Sequence, residues 1–250
     1  MDKLLTVVIP SYNVEKFLNQ TLDSFVCDEA VMKKFEVIVV DDGSKDNTAK
    51  IGKEYADKYP DTFRVISKEN GGHGSTINCG IRNAVGKYFK VVDGDDWVNT
   101  ADFVKLVEDL EKTESEYVFT NYNEYYDDVN RQKAVDFPQF KDGTEYDFAD
   151  VANKVYIPMH ALVIKTSVLK DNNIVIDEKC FYVDVEYVMF PVPFVNKVTF
   201  FDLHVYMYRL ALSTQSVSIL GFQKHINDHL RVTFHMFDFY RDYISSDKAD

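Results

Sequence analysis

Three apolar runs rich in β-branched residues each end abruptly in a polar or acidic cluster, and this pattern constrains the fold more than any other feature. Leu4 to Ile9 (LLTVVI) gives way to Pro10-Ser11-Tyr12-Asn13, and Phe35 to Val40 (FEVIVV) to Asp41-Asp42-Gly43-Ser44. Tyr88 to Val92 runs into Asp93-Gly94-Asp95-Asp96. Apolar runs of this length without alternation are strands buried on both faces, as in parallel sheets covered by helices. Helical patterning falls between them. Val14 to Val26 sets Val14, Phe17, Leu18, Leu22, Phe25 and Val26 near a helical repeat. Asp46 or Ser44 caps a helix through Tyr59, and the glycine-rich loop Asn70 to Gly74 opens one ending near Ala84. A strand over Phe63–Ser67, a helix over Ala101–Lys112 and a strand over Tyr117–Thr120 complete the first half. This alternation predicts βαβ units, right-handed crossovers and a largely parallel sheet. Ligands bind such sheets beyond the carboxyl ends of the strands, so the three polar clusters converge on one rim.

The second half is less regular. Residues 121–150 mix Tyr, Asp and Asn and read as a hairpin or an ordered loop. Asp184–Phe194 reads as a helix stopped by Pro191 and Pro193, Lys197–Phe201 and Val205–Tyr208 as strands, and Phe222–Tyr243 as a long helix. The stripe Phe234, Phe237, Tyr240 and Tyr243 on that helix reads as helix packing, with a membrane or partner contact as the alternative. No repeat or linker interrupts the chain, so residues 1–250 are expected to form one domain.

Charge narrows the function. The chain has 28 basic and 41 acidic residues, a net charge of −13, which excludes a non-specific nucleic-acid binder and disfavours adhesion to anionic lipid. A phosphate-bearing ligand therefore needs a bound cation or local backbone amides. Cys27, Cys79 and Cys180 are widely spaced and lack a CxxC pairing, the usage of reduced thiols in a cytoplasmic protein. Leu4–Ile9 is too short for a signal peptide, and no apolar run is long enough to span a bilayer.

Three carboxylates within Asp93-Gly94-Asp95-Asp96 repel one another unless a cation joins them, and magnesium or manganese prefers such oxygen ligands. The alternative is a solvated Asp-Gly-Asp turn. Asp41 and Asp42, ending an apolar strand, suit hydrogen bonds from a base or ribose, or an Asx-turn with a helix cap.

Taken in order, VVIPSYN at 7–13, VVDDGSKDNT at 39–48, ENGGHGSTINCGI at 69–81 and VVDGDDW at 91–97 resemble the inverting GT-A glycosyltransferases of family 2. The resemblance is close over residues 4–120 and looser to about 218. It implies a GT-A fold: a Rossmann-like, mostly parallel twisted sheet flanked by helices, with a smaller acceptor-side region. Residues 1–120 are then the nucleotide-sugar-binding half, 121–220 the acceptor-side half and 221–250 a C-terminal helix. It implies a nucleotide-sugar donor, by default a UDP-hexose, and Mn2+ or Mg2+ as cofactor. On the family pattern Pro10, Tyr12 and Asp42 line the base pocket with Asp41 nearby, Asp93 touches the ribose, and Asp95 with Asp96 holds the metal. Asn78 belongs to the family's Arg-Asn pair, but Ile77 replaces the arginine; backbone amides of Gly71-Gly72-His73-Gly74, or His73 itself, are left to meet the diphosphate. The glycines alone are equally a tight turn.

The resemblance also supplies a base. Inverting transfer to a hydroxyl needs a group that takes the acceptor proton. Within Phe181–Tyr187, Asp184 aligns with the family's catalytic aspartate, Val183 stands where a glutamate is usual, and Glu186 is second choice. Asp184 is otherwise a helix-opening charge. His160 shapes the acceptor pocket or is a core histidine, and His204 is a further metal ligand or structural. Arg209, with Ser213 and Gln215–Ser218, resembles a segment that closes over the diphosphate; a salt bridge is its other reading. The processive QxxRW motif is absent, so one sugar per encounter is expected, on a surface-glycan or lipid-linked acceptor. The place implied is the cytoplasm, up to peripheral association with the inner face of the membrane. Two rivals stand: a nucleotidyltransferase-like enzyme, whose Gly-rich basic loop after the first strand is missing, and a nucleotide-sugar binder without transferase activity. Oligomeric state is not legible.

Overall fold

A computed structural model describes residues 3–210 and 219–244. Its first half runs β1 (Leu5–Ser11), α1 (Leu18–Asp23), α2 (Glu29–Met32), β2 (Phe35–Asp41), α3 (Thr48–Lys58), β3 (Phe63–Ser67), α4 (His73–Asn83), β4 (Tyr88–Val91), β5 (Trp97–Val98) and α5 (Thr100–Asp109). The second runs β6 (Tyr117–Tyr126), β7 (Arg131–Val135), β8 (Thr144–Asp147), α6 (Phe148–Val151), β9 (Leu162–Lys165), α7 (Thr166–Asp171), α8 (Asp184–Met189), β10 (Lys197–Leu210), α9 (Ile219–Lys224) and α10 (Ile226–Ile244).

One mixed sheet carries both halves in the order β3-β2-β1-β4-β9-β6-β10-β5, with β7 beside β6 and β8 beside β10. β3, β2, β1, β4, β6 and β10 point the same way, and β9 lies antiparallel between β4 and β6. The apolar runs explain the layers. Every residue of β1 and β2 is buried, and alternate side chains enter two different cores. Val8, Ile38, Val40 and Phe89 pack with Ile77 and Ile81 of α4 and Tyr187 of α8. Val7, Ile9, Val37 and Val39 pack with Leu22 of α1 and Phe103 of α5. A sheet covered on both sides needs strands without polar alternation.

The second half departs from the expectations. β9 and α7 have no sequence signal strong enough to announce them. β10 is one strand rather than two, since its pairing with β6 continues across register shifts between Phe201 and Tyr206. The expected helix over 222–243 is two helices, α9 and α10. Its aromatic stripe is also on the other face: Phe234, Phe237 and Tyr240 are 63%, 65% and 63% exposed, while Val232, Met236 and Phe239 turn inward. α10 is apolar on two sides, and polar anchors choose between them. Arg231 binds Asp177 at 3.0 Å and His235 binds the buried Glu186 at 2.9 Å. No described helix is long and apolar enough to cross a membrane.

The two halves meet along a tight seam. The Asn78 side chain donates to the Ile176 carbonyl at 2.8 Å and accepts from the Ile176 amide at 2.9 Å. The Lys179 amide donates to the Gly71 carbonyl at 2.6 Å. The segment 174–183 is thereby strapped to α4 and its glycine loop, with Asp184 at the strap's end. Gly74 permits the approach: a Cβ there would sit 2.0 Å from the Asp177 carbonyl oxygen. Gly74→Ala is expected to cost about 1–3 kcal/mol by forcing backbone apart, and to lower Tm by several degrees. An unchanged melting curve in differential scanning calorimetry would show that the seam does not bear on stability.

Candidate active site

β1, β2 and β4 end together. Ser11 pairs with Asp41, the Asp42 amide donates to the Ser11 carbonyl at 2.9 Å, and the Gly94 amide to the Pro10 carbonyl at 3.1 Å. A cavity of about 360 Å³ opens beside them. Pro10, Tyr12 and Asp42 form one wall, His73 and Thr76 of α4 another, and Lys179 and Phe181 of the strap overhang it. A larger hollow of about 510 Å³ beside α8 is lined mostly by apolar side chains and by none of the residues that the sequence singles out. The chemistry therefore gathers at the smaller cavity.

Tyr12 is 51% exposed at that wall, an open aromatic face suited to stacking on a base. The two aspartates ending β2 serve the loops around it. Asp41 is buried and its carboxylate accepts the Ser44 amide at 3.1 Å, three residues on, closing the turn after β2. Asp42 lines the cavity, but its carboxylate receives the Gly71 and Gly72 amides at 2.9 and 2.8 Å and the Lys68 ammonium at 2.8 Å. It holds the glycine loop in shape rather than offering free oxygens to a base. Asn78, expected among the donor-binding residues, lies in the seam, 3% exposed with its amide engaged by Ile176.

The acidic loop divides its labour. Asp93 accepts from His73 Nε2 at 2.8 Å. Burial works to raise its carboxyl, and the charge and hydrogen bond of His73 outweigh it, so Asp93 ends below the usual value. Asp95 is half-buried, and its carboxylate has no side-chain hydrogen-bond partner among the described residues, only its own amide. Burial first, and then the Asp93 charge, push its carboxyl up to about 6. Asp96 is 1% exposed and both oxygens are taken, by the Tyr206 hydroxyl at 2.6 Å and the Arg209 amide at 2.7 Å. Desolvation and the neighbouring Asp95 and Asp93 hold its carboxyl well above the ordinary range. Tyr122, Tyr206 and Tyr208 surround the His160 ring, and burial lowers its pKa to about 4, which leaves a neutral imidazole. Ligand atoms of Asp93, Asp96 and His160 lie within 4.8 Å of one another. Two crowded carboxylates and a neutral histidine fit a divalent cation. Asp95, outside that group, is the carboxylate of the loop without a side-chain hydrogen-bond partner among the described residues; Asp96 is mainly a brace.

Two expected contributors are committed elsewhere. Arg209 is 5% exposed; its guanidinium bonds to Asp127, to Gln20 at 2.6 Å and to the Asp95 carbonyl at 2.8 Å, beside the Trp97 ring. It pins β10 to the acidic loop and is not free to close over a ligand. Its expected companions Ser213 and Gln215–Ser218 lie outside the described residues. His204 pairs with Asp136 at 2.7 Å and shares no ligand cluster with the acidic loop.

Asp184 opens α8, half-buried, within electrostatic reach of His73 and Asp93. Burial raises its carboxyl, His73 opposes and Asp93 adds, for a net upward shift. Glu186 is fully buried and both its oxygens are taken, by the Asp177 amide at 2.8 Å and His235 at 2.9 Å, so it braces α8. Sequence reasoning missed Lys68, Lys179, Phe181 and Tyr206. Only Lys179 and Phe181 carried a signal, by standing just ahead of Asp184.

Comparison with known proteins decides the family, since the profile of glycosyl transferase family 2 matches residues 6–172. The chain belongs to glycosyl transferase family 2. Over 118 residues it is 38% identical to the glycosyltransferase EpsJ of Bacillus subtilis (strain 168), covering 47% of this chain and 33% of that one. Over 111 residues it is 33% identical to the minor teichoic acid biosynthesis protein GgaB of the same strain, covering 44% of this chain and 12% of that one. The chain thus spans a third or less of these two relatives. The fold is GT-A, as in S. aureus TarS 1-349, a structure in complex with UDP-GlcNAc: TM-score 0.73, 22% identity, 92% of this chain and 65% of that one. The mannosyltransferase PcManGT of Pyrobaculum calidifontis, in complex with GDP-Man and Mn2+, gives a TM-score of 0.66 at 17% identity, covering 94% of this chain and 65% of that one.

The division within the acidic loop is testable. Asp95→Asn is expected to leave Tm almost unchanged while abolishing the thermal stabilisation given by MnCl2. Asp96→Ala orphans two buried donors at about 1–3 kcal/mol each and is expected to lower Tm by several degrees without metal. The reverse pattern in a thermal-shift assay would exchange the two roles.

Proposed function

We propose that this family 2 domain transfers a hexose from a nucleoside diphosphate donor to an acceptor hydroxyl, in one displacement with inversion. The observation that carries the reading is the position of Asp184. Its carboxylate lies within electrostatic reach of His73 and Asp93, and the strap that leads to it lends Lys179, Cys180 and Phe181 to the cavity walled by Pro10, Tyr12 and Asp42. A base and a nucleotide-sized pocket are thus neighbours, as a direct displacement requires.

On this reading Tyr12 and Pro10 hold the base, and Asp42 keeps the glycine loop folded against it. Asp93 takes the ribose. Asp95, with Asp93, Asp96 or His160 beside it, holds Mn2+ or Mg2+, which when bound neutralises the diphosphate and its developing charge. Asp184 accepts the proton of the acceptor hydroxyl. Glu186, His235 and the strap fix the direction in which Asp184 faces. UDP-linked sugar is the donor favoured, supported by the UDP-GlcNAc complex of the TarS neighbour, with GDP-linked sugar as the alternative that PcManGT represents. The teichoic acid role in GgaB's name supports a cell-surface glycan or lipid-linked acceptor, reached from the cytoplasmic side with peripheral membrane association.

Asp184→Asn tests the reading. Turnover of UDP-sugars with MnCl2 is expected to fall by at least about a hundredfold while UDP binding persists. Unchanged turnover would remove Asp184 from the chemistry. The base works ionised and its carboxyl lies above the ordinary value, so kcat should fall as pH is lowered through that raised pKa. A profile flat down to about pH 4, the range of a free aspartate, would contradict it.

A further inference from the structure

We propose that the base of the donor nucleotide is held in an aromatic slot, with Tyr12 on one side and Phe181 of the strap on the other. This rests on the donor reading above and adds a wall from the acceptor-side half.

Tyr12 and Phe181 line the same cavity, 51% and 43% exposed, from segments far apart in the chain. Large aromatic side chains at a concave site carry apolar surface that a ligand can cover. A ring has two faces, and one face of Phe181 is taken. His225, between α9 and α10, stacks on it with ring centres 3.7 Å apart and planes 30° apart. The cavity borders what is left of the ring. Tyr182, the next residue, is not part of the cavity wall. It stacks on Phe222 of α9 at 5.2 Å and lies 4.8 Å from the His229 ring of α10. Ahead of these contacts the Lys179 amide is bonded to the Gly71 carbonyl. Phe181 is thus held in place before any ligand arrives, so little motion is lost on binding.

Of the donor's parts only the base is a flat aromatic ring. A base stacks on an aromatic face whatever its edge carries, because every base has a π-face. Edge contacts are in short supply at this wall. The Asp42 carboxylate is bonded to Gly71, Gly72 and Lys68, and the Asn70 side-chain amide donates to the Asp42 carbonyl at 2.9 Å. The faces of the ring are therefore the main handle. Phe181 and His225 both lie outside residues 6–172, where the family profile matches, so the second wall comes from the part of the chain beyond that match.

The experiment is calorimetric titration of UDP and GDP with MnCl2 present. It compares wild type with Tyr12→Ala, Phe181→Ala, Phe181→Leu, Phe181→Tyr and His225→Ala, each checked for fold by its melting curve. Phe181→Ala is expected to weaken the nucleotide that wild type binds more tightly by about ten- to a hundredfold, the effect of losing one stacked face. Phe181→Leu keeps apolar bulk without a ring and should lose nearly as much. Phe181→Tyr keeps the ring and should stay within about threefold of wild type. His225→Ala leaves the ring unbacked and should show a smaller loss, which disappears when Phe181 is already alanine. Wild-type affinity in Phe181→Leu would mean that bulk alone matters, and would overturn the proposal. So would a fall in Phe181→Tyr as deep as in Phe181→Ala, since the shape of the strap and not the ring would then be at work. Unchanged affinity in every Phe181 variant overturns it too; if Tyr12→Ala still loses affinity, the donor reading stands without the second wall. Should wild type bind neither nucleotide, the donor reading itself fails and the slot goes with it.

Discussion

The arrangement of the site depends on one buried carboxylate, Asp96. Its side chain receives the Tyr206 hydroxyl and the Arg209 amide, and its carbonyl receives the Thr21 hydroxyl at 2.6 Å. These bonds tie the end of β4 to β10 and to α1, three elements far apart in the chain. Burying a carboxylate is costly unless its oxygens are satisfied, so the surrounding groups must stay in register. The cost is visible in the upward shift of Asp96 itself. It is offset by a rigid acidic loop from which Asp95 projects without a side-chain hydrogen-bond partner among the described residues. A site that must hold an ion between carboxylates needs one of them spent on fixing the others.

A second dependency links donor and acceptor sides. α4 carries His73 at its first turn and Asn78 in its second, and Asn78 is bonded to the backbone that leads to Asp184. One helix thus sets the distance between the cavity and Asp184. The strap keeps its path through Lys179 and Tyr182, whose φ values of 53° and 65° place non-glycine residues in the left-handed region. Backbone held in that region costs energy that the surrounding contacts must supply. Here Gly74, admitting the Asp177 carbonyl, and the Lys179-to-Gly71 bond supply them.

The three central strands and their shared rim were legible because strands covered on both faces leave uninterrupted apolar runs. β9 was not, because four residues inserted antiparallel between β4 and β6 are fixed by pairing across long stretches of chain and not by local pattern. Within the site, sequence located the residues better than it assigned their tasks. Asp42, Asn78, Asp96 and Arg209 all stand at or beside the rim, yet each is claimed by protein partners. Residue type announces what a side chain can bond, and only the fold decides whether that capacity is already taken. The α10 stripe failed for a related reason. With apolar residues on two faces, the inward one is selected by Arg231 and His235 finding Asp177 and Glu186, acids that hydrophobic periodicity does not register.

Charge then sets how a ligand is met. Lys68, Arg209 and Lys90, the basic residues nearest the rim, are bound to protein oxygens. What remains toward the cavity is His73, paired with Asp93, and Lys179 at the edge. A diphosphate entering this site meets more carboxylates than cations, so on the proposed reading it is accepted only together with a metal ion. That conditionality has a use. On that reading Asp93, Asp95 and Asp184 would repel anions until a cation and a donor arrive together, so a nucleotide without metal, or a stray phosphate, would be a poor competitor for the pocket. On the same reading, a nucleoside diphosphate left without its ion would face Asp93, Asp95 and Asp184 alone, which would favour its departure.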